Sequence, residues 1–245
     1  MTWSNRNSLG GAGNGISSVY ISHTTSTYDA VVGRVVLTCV AVDNADTVDG
    51  ATSLVNSVDD STGGNNWIKI AEFTNGQGVA ADGCTVAAFM TQVATQMNVG
   101  TTITATLSTS TVAKAISSAM FTISTGSTAS IAGTVQTLAN DAAPVGSMAI
   151  SGLTSGEYLF VRASAGEVRS PSVTALTSGY SIVFSGGVYD SGADATSMSE
   201  FGEYSITTGT GSTSAPTSAS ADWASVFFAL QEVQPTSTLF FGAGV

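Results

Sequence analysis

The side chains best suited to binding chemistry are carboxylates and carboxamides gathered in two short polar segments. Each segment follows an apolar run, and together they offer many hard oxygen atoms. Because Ca²⁺ takes six to eight oxygen ligands, the sequence suggests a calcium site. The predicted ligands are Asp43, Asp46, Asp59, Asp60 and Asn65. Their spacing departs from the EF-hand pattern, and Asx residues also form turns by bonding their own backbone, so both interpretations stay open.

Groups suited to catalysis are few. A Ser-His-Asp triad would have to use His23, the single histidine, yet the chain has no Gly-x-Ser-x-Gly motif. Glu200 and Glu203 could form a carboxylate pair of the kind used in glycoside hydrolysis, although a solvated strand edge is the simpler interpretation. The sequence therefore predicts no enzyme, with neither catalytic nor cofactor-binding residues.

Two further motifs have structural explanations. Residues 10–15 (GGAGNG) superficially resemble a dinucleotide-binding loop, but no strand pattern precedes them and no helical pattern follows. Cys39 and Cys84 lie within apolar runs, which is typical of buried thiols. A disulfide between them stays open, because it requires their strands to be neighbours.

Composition favours a subunit packed in an assembly. Only 9% of the 245 residues are charged, against roughly 25% in average soluble domains. A surface with few charges tolerates close contact, because little charge must be desolvated. The net charge of -11 argues against nucleic acid and anionic membranes as partners. Residues 1–15 lack the apolar core of a signal peptide, so we expect synthesis in the cytoplasm.

The pattern along the chain predicts an all-β protein. About a dozen short strand-like segments alternate with turn signals, which favours a single large antiparallel β-sandwich over residues 16–234. Residues 1–15 have the composition of an extended N-terminal arm, and residues 235–245 that of an apolar C-terminal tail. We expect the N-terminal arm to become ordered only against a partner. We expect the apolar tail to pack into its own core or into a neighbouring subunit.

One set of segments, spread over most of residues 16–234, carries a resemblance to a known family. The segments are Val35–Val42 with Asp43-Asn44, Val58-Asp59-Asp60-Ser61, 63–67 (GGNNW), Val86–Val93, Thr101–Ser108, Phe121 and 223–231 (WASVFFALQ). Together they resemble phage virion structural proteins that have a jelly-roll type of β-sandwich, and the resemblance implies a structural role without catalytic residues.

These observations lead us to expect a capsid decoration or cement subunit on the outer surface of a virion, made in the host cytoplasm. Its partners would be the major capsid protein and sister copies in a homo-oligomer. The expected interface residues are Trp3, Leu9, Leu239, Phe240 and Phe241. The alternative is a tail-associated module that binds a receptor or a glycan, with aromatic side chains near Tyr189 and Tyr204 stacking on sugar rings.

Overall fold

The chain folds into stacked antiparallel β-sheets. The structure, a computed structural model, describes residues 3–44, 46–50, 53–77, 83–170, 173–184 and 186–235. All of its strand pairs are antiparallel, and the helical content of the described residues is one 3₁₀ turn at Asp194–Thr196. The predicted all-β sandwich is thus confirmed, whereas the jelly-roll assignment stays a prediction.

A central sheet of five strands organises the stack. Its spatial order is β1-β8-β3-β6-β5. The strands are β1 (Ser4–Asn14), β3 (Val35–Asn44), β5 (Ile68–Asn75), β6 (Gly83–Gln92) and β8 (Lys114–Thr122).

The sequence of β3 explains why this sheet is central. A strand with one wet face alternates apolar and polar residues, whereas a strand covered on both faces reads as a continuous apolar run. Val35, Leu37 and Cys39 point into one core, and Val36 and Val40 point into the other. The central sheet is therefore covered on both faces.

A small three-stranded sheet covers one face of the central sheet. Its order is β2-β7-β4, formed by β2 (Ser18–Thr24), β4 (Val55–Asp60) and β7 (Thr102–Thr111). In β7 the apolar residues Ile103, Ala105 and Leu107 alternate with threonines, and they enter the core shared with Val36 and Val40. This alternation matches a strand with one buried face.

A six-stranded large sheet covers the other face. Its order is β13-β15-β11-β18-β9, with β14 also pairing β15. The strands are β9 (Thr128–Ala143), β11 (Gly156–Gly166), β13 (Ser181–Ile182), β14 (Val188–Tyr189), β15 (Met198–Gly209) and β18 (Ala221–Val233). Two ribbons lie elsewhere in this half of the chain: β10 (Met148–Ile150) with β16 (Ser212–Ser214), and β12 (Val173–Ala175) with β17 (Thr217–Ser218).

The N-terminal segment differs from its predicted role as an arm. Strand β1 pairs with β8 from Ser4↔Thr122 to Asn14↔Lys114, so these residues belong to the central sheet of their own chain. Trp3 and Leu9 are buried in the two cores, which removes both side chains from the predicted interface. The physical reason is that the apolar side chains of Trp3 and Leu9 are buried by contacts within their own chain. The other predicted interface residues, Leu239, Phe240 and Phe241, lie outside the described residues.

None of the described residues belongs to a helix that is both long and apolar enough to span a membrane.

Candidate functional site

The predicted calcium ligands Asp60 and Asn65 are brought together, but as parts of a turn. One Asp60 oxygen accepts hydrogen bonds from Asn65 Nδ2 at 3.1 Å and Trp67 Nε1 at 2.9 Å. The other accepts the Thr62 backbone N–H at 3.0 Å and the Thr62 hydroxyl. The Asn65 side-chain oxygen accepts two backbone N–H groups, those of Ala94 and Thr95. The carboxylate and carboxamide oxygens are thus committed to shaping the turn.

Asp43 and Asp46 lie elsewhere. They line a cavity of about 370 Å³ together with Leu54, which immediately precedes β4, whereas Asp60 is the last residue of that strand. A six-residue strand spans roughly 20 Å, so the two acidic groups are too far apart to share one ion. The five predicted ligands therefore do not form one site. Within the described ranges, no three His, Cys, Asp or Glu side chains are grouped as a metal site.

Burial changes the properties of Asp43. Desolvation raises the pKa of its carboxyl to about 7, and one of its oxygens is buried with no hydrogen-bond partner among the described residues. A carboxyl close to neutrality at pH 7 is a weaker cation ligand than an ionised one. Calcium binding stays a prediction at this cavity.

The single histidine, His23, is a buried core residue. His23 lies in β2, and its Nε2 is 2.8 Å from the Ser118 hydroxyl, which in turn is 2.7 Å from the Thr38 hydroxyl. Desolvation lowers the pKa of His23 to about 4, so the ring is neutral at pH 7. His23 and Ser118 are both nearly inaccessible to solvent, and the contact holds β2 onto the central sheet.

The glycine-rich segment serves close packing. A Cβ on Gly13 would lie 1.8 Å from the Val188 carbonyl oxygen, and one on Gly15 would lie 2.0 Å from the Tyr189 ring. These distances are far below van der Waals contact, so only glycine lets the end of β1 approach β14. The GGAGNG motif thus closes one side of the sandwich between the central and large sheets.

Glu200 is fully buried between these sheets. It faces Cys39 of β3 and Ser117 of β8, which are paired neighbours in the central sheet. Desolvation raises the pKa of Glu200 to about 8, and the Ser117 hydroxyl and the Cys39 thiol offset part of that rise. Neither carboxyl oxygen makes a hydrogen bond of good geometry within the described part of the chain. Glu200 is therefore a neutral acid at pH 7.

Glu203, on the opposite face of β15, has a full set of partners. Its oxygens accept the Thr177 N–H at 2.8 Å, the Thr177 hydroxyl at 2.6 Å and the Ser214 hydroxyl at 2.5 Å. Arg162 is its cross-strand neighbour in β11 and is also fully buried. The solvated-edge interpretation of the two glutamates is therefore wrong, and facing opposite ways they cannot act as a catalytic pair.

Both cysteines are free and buried, which confirms the interpretation as core thiols. Cys39 lies opposite Ala88, and Cys84 lies opposite Asp43, four positions further along the same strand pair. Four residues of strand span roughly 13 Å, which is beyond the reach of a disulfide.

The aromatic candidates for sugar stacking are directed inward. Tyr204 packs edge-on against Phe121 with ring centroids 5.2 Å apart, and Tyr189 is partly buried against the same core. Among the described residues, the tyrosines that do expose more than a third of their surface are Tyr20 and Tyr28.

One surface suited to recognition is a group of exposed large apolar side chains on the loops around Ala30 and Met97. We call Tyr28, Val31, Val32 and Val99 the loop patch; each is more than a third exposed. The two loops that carry it are joined, because Ala30 pairs with Met97 and the Val99 N–H donates to Asp29 Oδ1 at 2.7 Å. The patch is therefore held on a fixed backbone. Sequence reasoning missed it, since single valines in turns carry no periodic signal.

Comparison of the chain with protein-family models, curated proteins and solved structures finds no match. Function must therefore be inferred from the geometry of the chain itself.

Proposed function

We propose that the protein is a structural subunit of a virion, a decoration or cement protein that contacts neighbouring subunits through the loop patch. The observation that carries the proposal is the patch itself. Four exposed large apolar side chains on two hydrogen-bonded loops favour association, because each contact removes apolar surface from water.

The rest of the molecule suits a scaffold. The central sheet is covered on both faces, and the chemistry-bearing groups His23, Cys39, Glu200 and Arg162 are buried within the packing. Rigid elements that hold a small apolar surface in place lower the entropy cost of association. The low charge content reduces the desolvation cost of close packing between copies.

The proposal predicts that polar substitutions in the loop patch reduce incorporation into particles. In the variant Tyr28→Ser/Val99→Ser, we expect the copy number per particle to fall by about tenfold or more, since burying two such side chains is worth a few kcal/mol. Gradient-purified virions, with capsid and tail fractions separated, are analysed by quantitative mass spectrometry.

A matched control lies outside the loop patch. Tyr20 and Val112 are 56% and 48% exposed, close to the 44% and 52% of Tyr28 and Val99. The variant Tyr20→Ser/Val112→Ser should keep wild-type occupancy. Absence of the wild-type chain from purified virions would overturn the proposal. Its presence in tails but not capsids would favour the tail-associated alternative.

A further inference from the structure

A groove adjoins the loop patch and shares Val31 and Val32 with it. Its larger part is a cavity of about 590 Å³ between residues 31–34 and residues 122–128, a volume within the range of ligand pockets. A second cavity of about 280 Å³ adjoins it, sharing Gln92 and Thr128, and is lined by apolar side chains that include Ile68 and Met90. We call the two cavities together the end groove.

The walls of the end groove are tied together. Gln92 Nε2 donates to the Ser127 carbonyl at 2.7 Å and to the Gly33 carbonyl at 3.4 Å, and Arg34 donates to the Thr122 hydroxyl. One polar atom in the wall stays unsatisfied. The Ser127 hydroxyl is buried, with the residue only 3% exposed, and has no hydrogen-bond partner among the described residues. A peptide backbone lying in the groove would supply one.

The chain leaves its last strand at the rim of this groove. Glu232 Oε1 accepts hydrogen bonds from the Ser124 N–H at 3.1 Å and from Gln234 Nε2 at 2.7 Å. The Pro235 ring lies 4.0 Å from the point where a Cβ on Gly126 would be. Both Ser124 and Gly126 belong to the groove wall. Pro235, the last described residue, therefore lies at the rim of the groove.

The composition of residues 236–245 (TSTLFFGAGV) suits a groove whose walls mix apolar and polar side chains. They carry no charged side chain and include Leu239, Phe240 and Phe241 in succession. Four fully extended residues beyond Pro235 can span roughly 13 Å. A segment tethered this closely has an effective concentration on the order of millimolar, so even weak intrinsic binding fills the groove.

We propose that residues 236–245 dock in the end groove of their own chain, with the side chains of Leu239–Phe241 in its cavities. This docking covers apolar surface that would otherwise promote aggregation. The inference does not rest on the proposed function, because it concerns the isolated chain and a readout independent of particles.

Hydrogen exchange of the full-length protein tests the docking. The variant Leu239→Ser/Phe240→Ser/Phe241→Ser should raise exchange of the backbone amides in residues 122–128 by about tenfold, the factor that corresponds to 1.4 kcal/mol. The matched control Thr236→Ala/Ser237→Ala/Thr238→Ala changes the same segment without removing an apolar group, and should exchange as the wild type does. Unchanged exchange in the serine variant would overturn the proposal.

A change in the groove provides the reciprocal test. Val32→Asp alters an exposed wall residue, so the fold should persist, and the amides of residues 239–241 should exchange faster. Exchange of these amides at the wild-type rate in the Val32→Asp protein would contradict docking at this place. Protection that weakens on dilution, together with a dimer lost in the serine variant, would show that a second copy supplies the segment and would overturn docking within one chain.

Discussion

Strand β15 carries two buried glutamates three residues apart, and their surroundings are opposite in kind. Glu203 faces outward from the large sheet, where two hydroxyls and one backbone N–H donate to its oxygens. Glu200 faces the core between the large and central sheets and lacks a hydrogen bond of good geometry among the described residues. Residues at i and i+3 on a strand point to opposite faces, so the two environments are independent.

On the outer face of the large sheet, a network of hydrogen bonds surrounds the buried Arg162 side chain. Arg162 donates to Ser164 Oγ at 3.2 Å, Ser225 Oγ at 3.0 Å and the Gly146 carbonyl at 2.7 Å. Burial lowers the pKa of Arg162 to about 10, and neighbouring Glu203 offsets part of that fall. Arg162 therefore stays charged at pH 7.

On the inner face, the Glu200 carboxyl is protonated instead. A pKa of about 8 keeps Glu200 neutral at pH 7, which avoids an unpaired charge in the core. The comparison shows that two equally buried carboxyls can have unequal surroundings: three hydrogen bonds are donated to Glu203, whereas Glu200 has none of good geometry among the described residues.

Breaking the hydrogen-bond network around Arg162, the outer network, should cause the largest loss of stability. Arg162→Ala leaves Glu203 without its neighbouring cation and leaves buried acceptors unpaired, so we expect a loss of about 3–5 kcal/mol in the free energy of unfolding. Urea denaturation at pH 7 measures it.

An exposed arginine supplies the control for this prediction. Arg169 pairs with Asp190 at 2.8 Å, and both side chains are about half exposed. Arg169→Ala should cost much less stability than Arg162→Ala, because solvent screens an exposed ion pair. Equal costs for the two arginine substitutions would show that the outer network contributes no more than a surface ion pair.

Glu200, on the inner face, should make the free energy of unfolding depend on pH. With a pKa near 4.5 unfolded and about 8 folded, Glu200 releases a proton on unfolding between these values. Its contribution is therefore full below pH 4.5, falls as pH rises towards 8 by at most about 1.4 kcal/mol per pH unit, and is level above 8.

Glu200→Gln removes this proton while keeping the shape of the side chain. Relative to wild type, the variant should gain stability steadily as pH rises from 5 to 8 in denaturation experiments. A wild-type-minus-variant difference that does not change with pH would mean that Glu200 is already ionised in the folded protein.

Much of the architecture was predictable from the sequence. The strict alternation at Ile103, Ala105 and Leu107 and the apolar run Val35–Val42 correctly indicated strands. The stacking of the sheets could not be predicted, because periodicity locates strands but does not pair them. The prediction for the glycine-rich segment was wrong for a related reason. Its glycine content indicated an extended arm, whereas in the structure the glycines allow β1 to approach β14.

The candidate sites were harder to predict. Sequence reasoning paired Glu200 with Glu203 because they are close in sequence, and it grouped Asp43 with Asp60 because both follow apolar runs. Strand geometry separates both pairs. The buried cations were missed as well: Lys114 is fully buried, with its Nζ donating to the Ile16 carbonyl at 2.7 Å, and no local pattern signals this. Long-range contacts decide such environments, and a single sequence does not display them.

The smallest expected effect comes from replacing Ser117 in β8, and its neighbour Ser118 provides the comparison. Ser117 faces Glu200, and its hydroxyl holds the pKa of that carboxyl below the value that desolvation alone would give. Ser117→Ala should therefore raise the pKa of Glu200 further and move the upper end of the pH-dependent region above 8. The change in the free energy of unfolding should stay below about 1.5 kcal/mol, the upper end for one hydrogen bond, because the contact between Ser117 and Glu200 lacks good hydrogen-bond geometry.

Ser118→Ala is the matched control, because Ser118 points to the opposite face and contacts His23 and Thr38 instead. It should leave the Glu200 region of the pH profile unchanged. It should alter only the acid side, where His23, with a folded pKa of about 4, makes the protein lose stability as pH falls from 6.5 towards 4. If both serine variants moved the same part of the pH profile, the two faces of the central sheet would be electrostatically coupled. Glu200 and His23 would then not titrate independently, contrary to what their positions on opposite faces predict.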